Sequence, residues 1–233
     1  MIVAYTDLRD LTPVELELLS NDERSQKFGS DSRRQQFQCG RALARLLLQQ
    51  ATGREARDHE FLAEKGGKPY CSEGPAFSIT HSGQVAACAV AEAGLAGIDV
   101  EYVDERRDSS RIVDRFFSAE ESSWLEANPE GFYMLWVIKE AFVKAHGQSI
   151  FGGLEKLRCT IAPPVIQATA IEGSFQSLSL YQRENSYLGL ASTGEDLRNV
   201  EFLCWSPASS ELITGNDYRF VATTTIDAGT ASR

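Results

Sequence analysis

Gly97-Ile98-Asp99-Val100-Glu101-Tyr102-Val103 alternates as a β-strand does. Successive strand side chains point to opposite faces. Ile98, Val100 and Tyr102 therefore go one way, toward a core, and Asp99 and Glu101 go the other, side by side. Two carboxylates on one face repel each other unless positive charge lies between them. A hard divalent cation suits such a pair, because Mg²⁺ is held by a couple of carboxylates together with phosphate oxygens. A solvated acidic strand face is the ordinary alternative, and these residues by themselves leave both open.

Upstream, Val85 to Ala91 and a turn at Glu92-Ala93-Gly94 predict that this strand closes a hairpin. Phe77-Ser78-Ile79-Thr80 reads as a further strand, stopping at His81-Ser82-Gly83. A Ser next to a His is not a nucleophile–base pair by adjacency, and the GxSxG elbow is missing. The segment suits phosphate binding by side chains and backbone N–H groups, or is a plain turn. The loop Lys65-Gly66-Gly67-Lys68-Pro69-Tyr70 precedes it and is no P-loop, since GxxxxGK[ST] is absent. A long helix is expected from Ser32 to Gln50, with Ser32 and Gln35 as a capping box and Gly53 closing it. Arg34, Arg41 and Arg45 share one of its flanks. Thr12 to Leu19 reads as a short helix with Pro13 at its first position.

Downstream, helices are expected at Ser109–Phe117, at Ser118–Ala127 with Ser118 and Glu121 as a capping box, and at Glu130–His146 before Gly147. The last contains Trp136-Val137-Ile138-Lys139-Glu140-Ala141-Phe142-Val143-Lys144. Its apolar face is Met134, Ile138, Ala141 and Phe142. Glu140 stands four residues before Lys144, the favoured order for a surface ion pair. The alternative makes Glu140 a third metal ligand and Lys144 a donor to phosphate. Phe116, Phe117 and Trp124 read as core, with a partner's landing patch as the other reading. Strands follow at Leu157–Ile161, Leu178–Gln182, Tyr187–Ala191, Val200–Trp205 and Tyr218–Thr223. The order predicts an α+β chain of two halves, residues 1–106 and 107–226, joined near Arg106–Ser109, with 227–233 as a disordered tail.

A net charge of −10 argues against a general nucleic-acid binder. From Arg24 to Lys68, ten Lys/Arg face five Asp/Glu, a local balance of +5 that suits an anion site or a solvated helix. The five cysteines are odd in number and lack CxxC spacing, which disfavours a disulfide framework or zinc site. No apolar run reaches membrane-spanning length and no signal peptide is seen, so a cytoplasmic location is expected.

Taken in order, Gly67-Lys68-Pro69, Phe77 to Gly83, Gly97 to Glu101, Phe116-Phe117-Ser118-Ala119-Glu120-Glu121 and Trp136 to Lys144 resemble the 4′-phosphopantetheinyl transferase superfamily. The length points to its longer, Sfp-type branch. The resemblance spans Arg24 to Gly147, and the C-terminal third carries no matching motif. It implies two similar α+β halves with the active site in the cleft between them. It further implies transfer of the phosphopantetheine arm of coenzyme A to a serine of an apo acyl or peptidyl carrier protein, with release of adenosine 3′,5′-bisphosphate. Asp99, Glu101 and Glu140 match acids that hold Mg²⁺ in that family, with Asp99, Glu140 and Lys144 as the catalytic group and Glu140 or a water as base. Lys68, Thr80, His81 and Lys144 match contacts to coenzyme A phosphates, and Arg34 and Arg41 match the segment reaching its 3′-phosphate. A monomer is expected, since two halves in one chain can build the cleft. Val137 and Thr80 depart from commoner residues, as does the run Gly147-Gln148-Ser149-Ile150. A metal-dependent nucleotide phosphohydrolase and a non-catalytic module binding coenzyme A or a carrier are the rival readings.

Overall fold

Val3 and Tyr5 of the first strand point to one face and Ala4 to the other, and all three are buried. A strand buried on both faces reads as an apolar run without clean alternation, so the sequence reading passed over it. The structure is a computed structural model that describes residues 1–9, 11–63, 67–206 and 211–224. Its elements are β1 (Ile2–Asp7), α1 (Pro13–Leu16), α2 (Asn21–Ser25), α3 (Asp31–Thr52), β2 (Leu62–Ala63), β3 (Pro69–Tyr70), β4 (Phe77–Ser82) and β5 (Val85–Val90). Then come β6 (Ala96–Tyr102), α4 (Ser110–Phe116), α5 (Ala119–Ala127), α6 (Phe132–Ala145), α7 (Ile150–Gly153), β7 (Leu157–Ala162) and β8 (Val165–Ala170). The chain continues through β9 (Ser177–Arg183), β10 (Ser186–Ser192), β11 (Glu201–Ser206), β12 (Glu211–Thr214) and β13 (Arg219–Thr224).

The larger sheets run β12-β11-β1-β5-β4 and β6-β10-β9-β13-β8-β7. Three cores result. One lies between α3 and the first sheet, with Leu43, Leu47, Leu48, Phe77 and Trp205. One lies between the two sheets, with Val3, Tyr5, Ile98, Val100, Leu188 and Leu190. The third lies between the second sheet and α6, with Leu135, Ile138, Phe142, Leu157 and Leu180. Each half is thus a sheet carrying one long helix, the α+β arrangement expected.

The expected hairpin between Val85 and Val103 does not form. β5 pairs with β1 and β4, whereas β6 pairs with β10 across Val100–Leu188 and Asp99–Gly189. The chain crosses from one sheet to the other at residues 91–95 and not at Arg106–Ser109, and β11 returns to the first sheet as the parallel neighbour of β1. A turn-rich connection looks alike whether its strands pair with each other or part, so local sequence could not separate these cases. β4 extends through His81 and Ser82, two residues further than expected. The N-cap of α3 is Ser30, whose side chain accepts from the Arg33 N–H, rather than Ser32, and Gly53 closes the helix at φ 72° as expected. The expected capping box of Ser118 with Glu121 is present, and Thr12 with Glu15 forms another that was not anticipated. A single 3₁₀ turn, Pro129–Gly131, precedes α6, which starts at Phe132.

Tyr102 was expected in the core and is 40% exposed, because the inter-sheet core ends at Val100. Phe116 is buried, and Phe117 and Trp124 pack half-buried against the same core, in agreement with the core reading. The five thiols are free, with Cys71 and Cys204 only half-buried. β2, β3, β8, β12, α2 and α7 were not anticipated. Lys65, Gly66 and the tail 227–233 lie outside the described residues. Among the described residues no helix is long and apolar enough to cross a membrane.

Candidate active site

Two glycines let a helix touch a sheet. A Cβ on Gly97 would lie 1.9 Å from the Ala141 carbonyl oxygen, and one on Gly189 would lie 2.4 Å from that of Val137. α6 therefore rests directly on the backbones of β6 and β10. The face of β6 opposite Ile98 and Val100 carries Asp99 and Glu101 toward α6. Gly97→Ala has no flexible neighbour to displace. It is expected to lower stability by about 1–3 kcal/mol and to cut activity at least tenfold by lifting α6, as read from a thermal melt and a transfer assay.

α6 brings Lys144 to β6. Its ammonium lies 2.5 Å from Asp99 Oδ1, donates to Thr80 Oγ1 at 3.2 Å and stands 3.7 Å from Glu140 Oε2. The expected surface pair of Glu140 and Lys144 is thus a partly buried cluster, with Asp99 3% and Glu140 7% exposed. Burial pushes the Asp99 carboxyl up even though Lys144 opposes it. Burial, then the charge of Asp99, raises Glu140 to about 7. Glu101 is raised by burial and by Asp99, with Ser82, Arg107 and Lys144 pulling the other way. Burial alone would lower Lys144, and Asp99 and Glu140 more than offset it, so the ammonium keeps its proton. The site thus concentrates more negative charge than its one ammonium neutralises.

Among the described residues no three His, Cys, Asp or Glu side chains cluster tightly enough to enclose a metal by themselves. Mg²⁺ does not need such a cage: a couple of carboxylates with phosphate oxygens and waters suffice. Asp99 Oδ2 is buried without a hydrogen-bond partner, and a buried carboxylate oxygen left so is costly. That orphaned oxygen, beside two carboxyls held above their ordinary range, fits a hard cation.

The alternation along β4 sorts the remaining candidates. Phe77 and Ile79 face α3, where Ile79 Cγ2 would meet a Cβ on Gly40 at 2.8 Å. His81 continues this face. Burial first, then the charges of Lys144 and Arg33, hold its imidazole below the ordinary 6.5. Thr80 and Ser82 face β6, donating to Asp99 Oδ1 at 3.0 Å and Glu101 Oε2 at 2.8 Å. Lys68 donates to the carbonyls of Ala96 (3.2 Å) and Ala145 (3.0 Å), tying the start of β6 to the end of α6. Thr80, His81, Lys68, Lys144 and the three acids are therefore gathered along β4, β6 and α6.

The arginine flank has partners of its own. Arg41 lies 3.7 Å from Glu23 and over the rings of Phe37 and Phe61, and Arg45 is buried against Glu23 at 3.0 Å. Arg34 bonds Gln38 and pairs with Asp31. Glu23 stands one residue before the basic stretch counted from the sequence, so that count omitted the acid that neutralises two of its arginines.

Arg33 and Arg107 were missed. Arg33 acts on His81 through its charge, and Arg107 lies over Phe132 and Trp136 while its charge reaches Glu101. Lys139 was missed too, although a lysine inside an apolar helix was the available signal. It is 1% exposed and donates to Glu121 Oε1 at 2.7 Å and to the Leu157 carbonyl at 2.6 Å. Glu121 also accepts from the backbone N–H groups of Ser118 and Cys159. This network fixes α6 to α5 and β7.

A family model described as the 4′-phosphopantetheinyl transferase superfamily matches residues 96–206, and one for a 4′-phosphopantetheinyl transferase N-terminal domain matches residues 22–91. Their boundary falls where the chain passes between the sheets. The chain is 30% identical over 188 residues to the 4′-phosphopantetheinyl transferase HetI of Nostoc sp., covering 76% of this chain and 79% of that protein. It is 33% identical over 118 residues to the 4′-phosphopantetheinyl transferase Sfp of Bacillus subtilis, covering 48% of this chain and 51% of Sfp. A similar transferase, gsp of Aneurinibacillus migulanus, is 30% identical over 117 residues, covering 48% of each chain.

Proposed function

Because the chain belongs to the 4′-phosphopantetheinyl transferase superfamily, in its longer, Sfp-type branch, we propose that it transfers the phosphopantetheine arm of coenzyme A to a serine of an apo acyl or peptidyl carrier protein. The observation that carries this is the meeting of Asp99 and Glu140 with Lys144, beside Thr80 and His81. Acids for a cation and bases for phosphate lie together there.

Asp99, Glu101 and Glu140 would hold Mg²⁺. When bound, that ion neutralises the pyrophosphate and polarises the reacting phosphorus. Phosphoryl-type transfer depends above all on positioning and charge stabilisation. Lys144, with Lys68 and Arg33 near by, neutralises phosphate oxygens. His81, neutral with its lowered pKa, can bond a phosphate and gains a proton more readily once that anion offsets Lys144 and Arg33. The carrier serine oxygen attacks the β-phosphorus, and the bond to the bridging oxygen breaks. The serine proton goes to Glu140 or to a water beside it. Adenosine 3′,5′-bisphosphate leaves with Lys144 against its phosphate. Both sides of the cleft come from one chain, which supports a monomer.

Chromatography of coenzyme A reactions tests this. Adenosine 3′,5′-bisphosphate is expected only with Mg²⁺ and apo carrier together, and EDTA is expected to abolish it. Release without a carrier would point to the phosphohydrolase, and no release with any carrier to a binding module.

A further inference from the structure

β4 and β6 run side by side at the junction of the two sheets, yet they are not ladder partners. Side-chain hydroxyls join them instead. Ser78 Oγ accepts from Ile98 N–H at 3.3 Å, Thr80 Oγ1 from Val100 N–H at 3.2 Å, and Ser82 Oγ from Tyr102 N–H at 3.2 Å. Residues two apart on β4 thus serve N–H groups two apart on β6, and the strand period sets the spacing. The rungs differ in what else they hold. The Ser78 rung lies beside Gly97, which has no side chain. The Thr80 rung also holds Asp99 and receives Lys144. The Ser82 rung holds Glu101 alone, at 2.8 Å.

A serine hydroxyl has one proton to give. The acceptor side of Ser82 is taken by the Tyr102 N–H, so its proton is directed at Glu101. Glu101 is a longer side chain than Asp99 and only half-buried, so it has more freedom to lose. Gly83 follows at φ 54°, and a Cβ there would meet the Tyr102 side chain at 3.1–3.3 Å, so the turn packs close against the rung.

We propose that Ser82 is a positioning residue that pins Oε2 of Glu101 through its hydroxyl and leaves Oε1 to meet a divalent cation. This rests on the reading that Asp99, Glu101 and Glu140 hold such a cation. Removing an outer partner of a ligating carboxylate weakens metal affinity by about 10–100-fold, so the serine acts on the cation through the carboxylate.

The test titrates Mn²⁺ into the protein with saturating coenzyme A and counts free Mn²⁺ by electron paramagnetic resonance, subtracting a protein-free blank. Ser82→Ala is expected to raise the Mn²⁺ Kd about tenfold. Ser82→Thr, which keeps the hydroxyl, is expected to stay within about threefold of wild type. Ser78→Ala removes a rung with no acid on it, so it should lower the melting temperature and leave the Kd unchanged. If Ser82→Ala does not fold, Ser82→Cys, a near-isostere with a poor donor, is measured with the same expectation. Wild-type affinity in the Ser82 variant, or equal weakening by Ser78→Ala, overturns the proposal. A wild-type protein that takes up no Mn²⁺ overturns the cation reading beneath it instead.

Discussion

Glu140→Gln is expected to slow transfer by about 10²–10⁴-fold and, in the same protein, to raise the melting temperature at pH 8. Burial and the charge of Asp99 hold the Glu140 carboxyl at about 7 against an ordinary 4.5. Between those values the folded chain keeps a proton that the unfolded chain has lost. Folding stability therefore falls as pH rises through that window. The whole interval corresponds to at most about 3 kcal/mol, and glutamine has no charge to bury. Melts of the two proteins should coincide at and below pH 4.5 and separate by roughly 3–10 °C above pH 7. Mg²⁺ with coenzyme A should stabilise the wild type more than the variant. A variant that melts with the wild type at pH 8 would remove Glu140 from the acidic cluster.

Lys139→Met is expected to be the most damaging single change away from the chemistry. Lys139 and Glu121 are each 1% exposed. Losing the lysine leaves the Glu121 charge buried, with only two backbone N–H groups on it. Breaking a buried pair on one side costs about 3–5 kcal/mol, or roughly 6–20 °C in a chain of this size. The double replacement of Lys139 by Met and Glu121 by Leu should recover part of that loss, since it leaves no unpaired charge. Thermal melts of the three proteins check this. A single variant within 2 °C of the wild type would contradict it.

These two residues mark how far the sequence could be read. Glu140 was legible, because its position four before Lys144 and the Asp99–Glu101 alternation each suggested a charged face. That the two faces meet depends on Gly97 and Gly189, whose missing side chains admit α6. Their effect appears only once the helix is on the sheet. Lys139 stood out as a lysine inside an apolar helix, but its partner was illegible, since Glu121 lies 18 residues away and was already explained as a helix cap. Local signals recovered most helices, as at Ser118 and Gly53, because a cap acts within one turn. They failed at β5, which turns back on β4 and pairs with β1, and at β6, whose partner β10 lies far along the chain. Nor could local reading show that Arg41 and Arg45 are answered by Glu23, an acid on another helix.

The proposed reaction has the cluster of Asp99, Glu101, Glu140 and Lys144 moving a phosphopantetheine arm onto a protein. Intact-protein mass spectrometry of an apo carrier incubated with this chain, coenzyme A and Mg²⁺ tests it most directly. The expected result is a carrier heavier by one phosphopantetheine, with the shift lost in EDTA and with Asp99→Ala. Unmodified acyl, peptidyl and aryl carriers beside intact coenzyme A, or a full shift with Asp99→Ala, would contradict it.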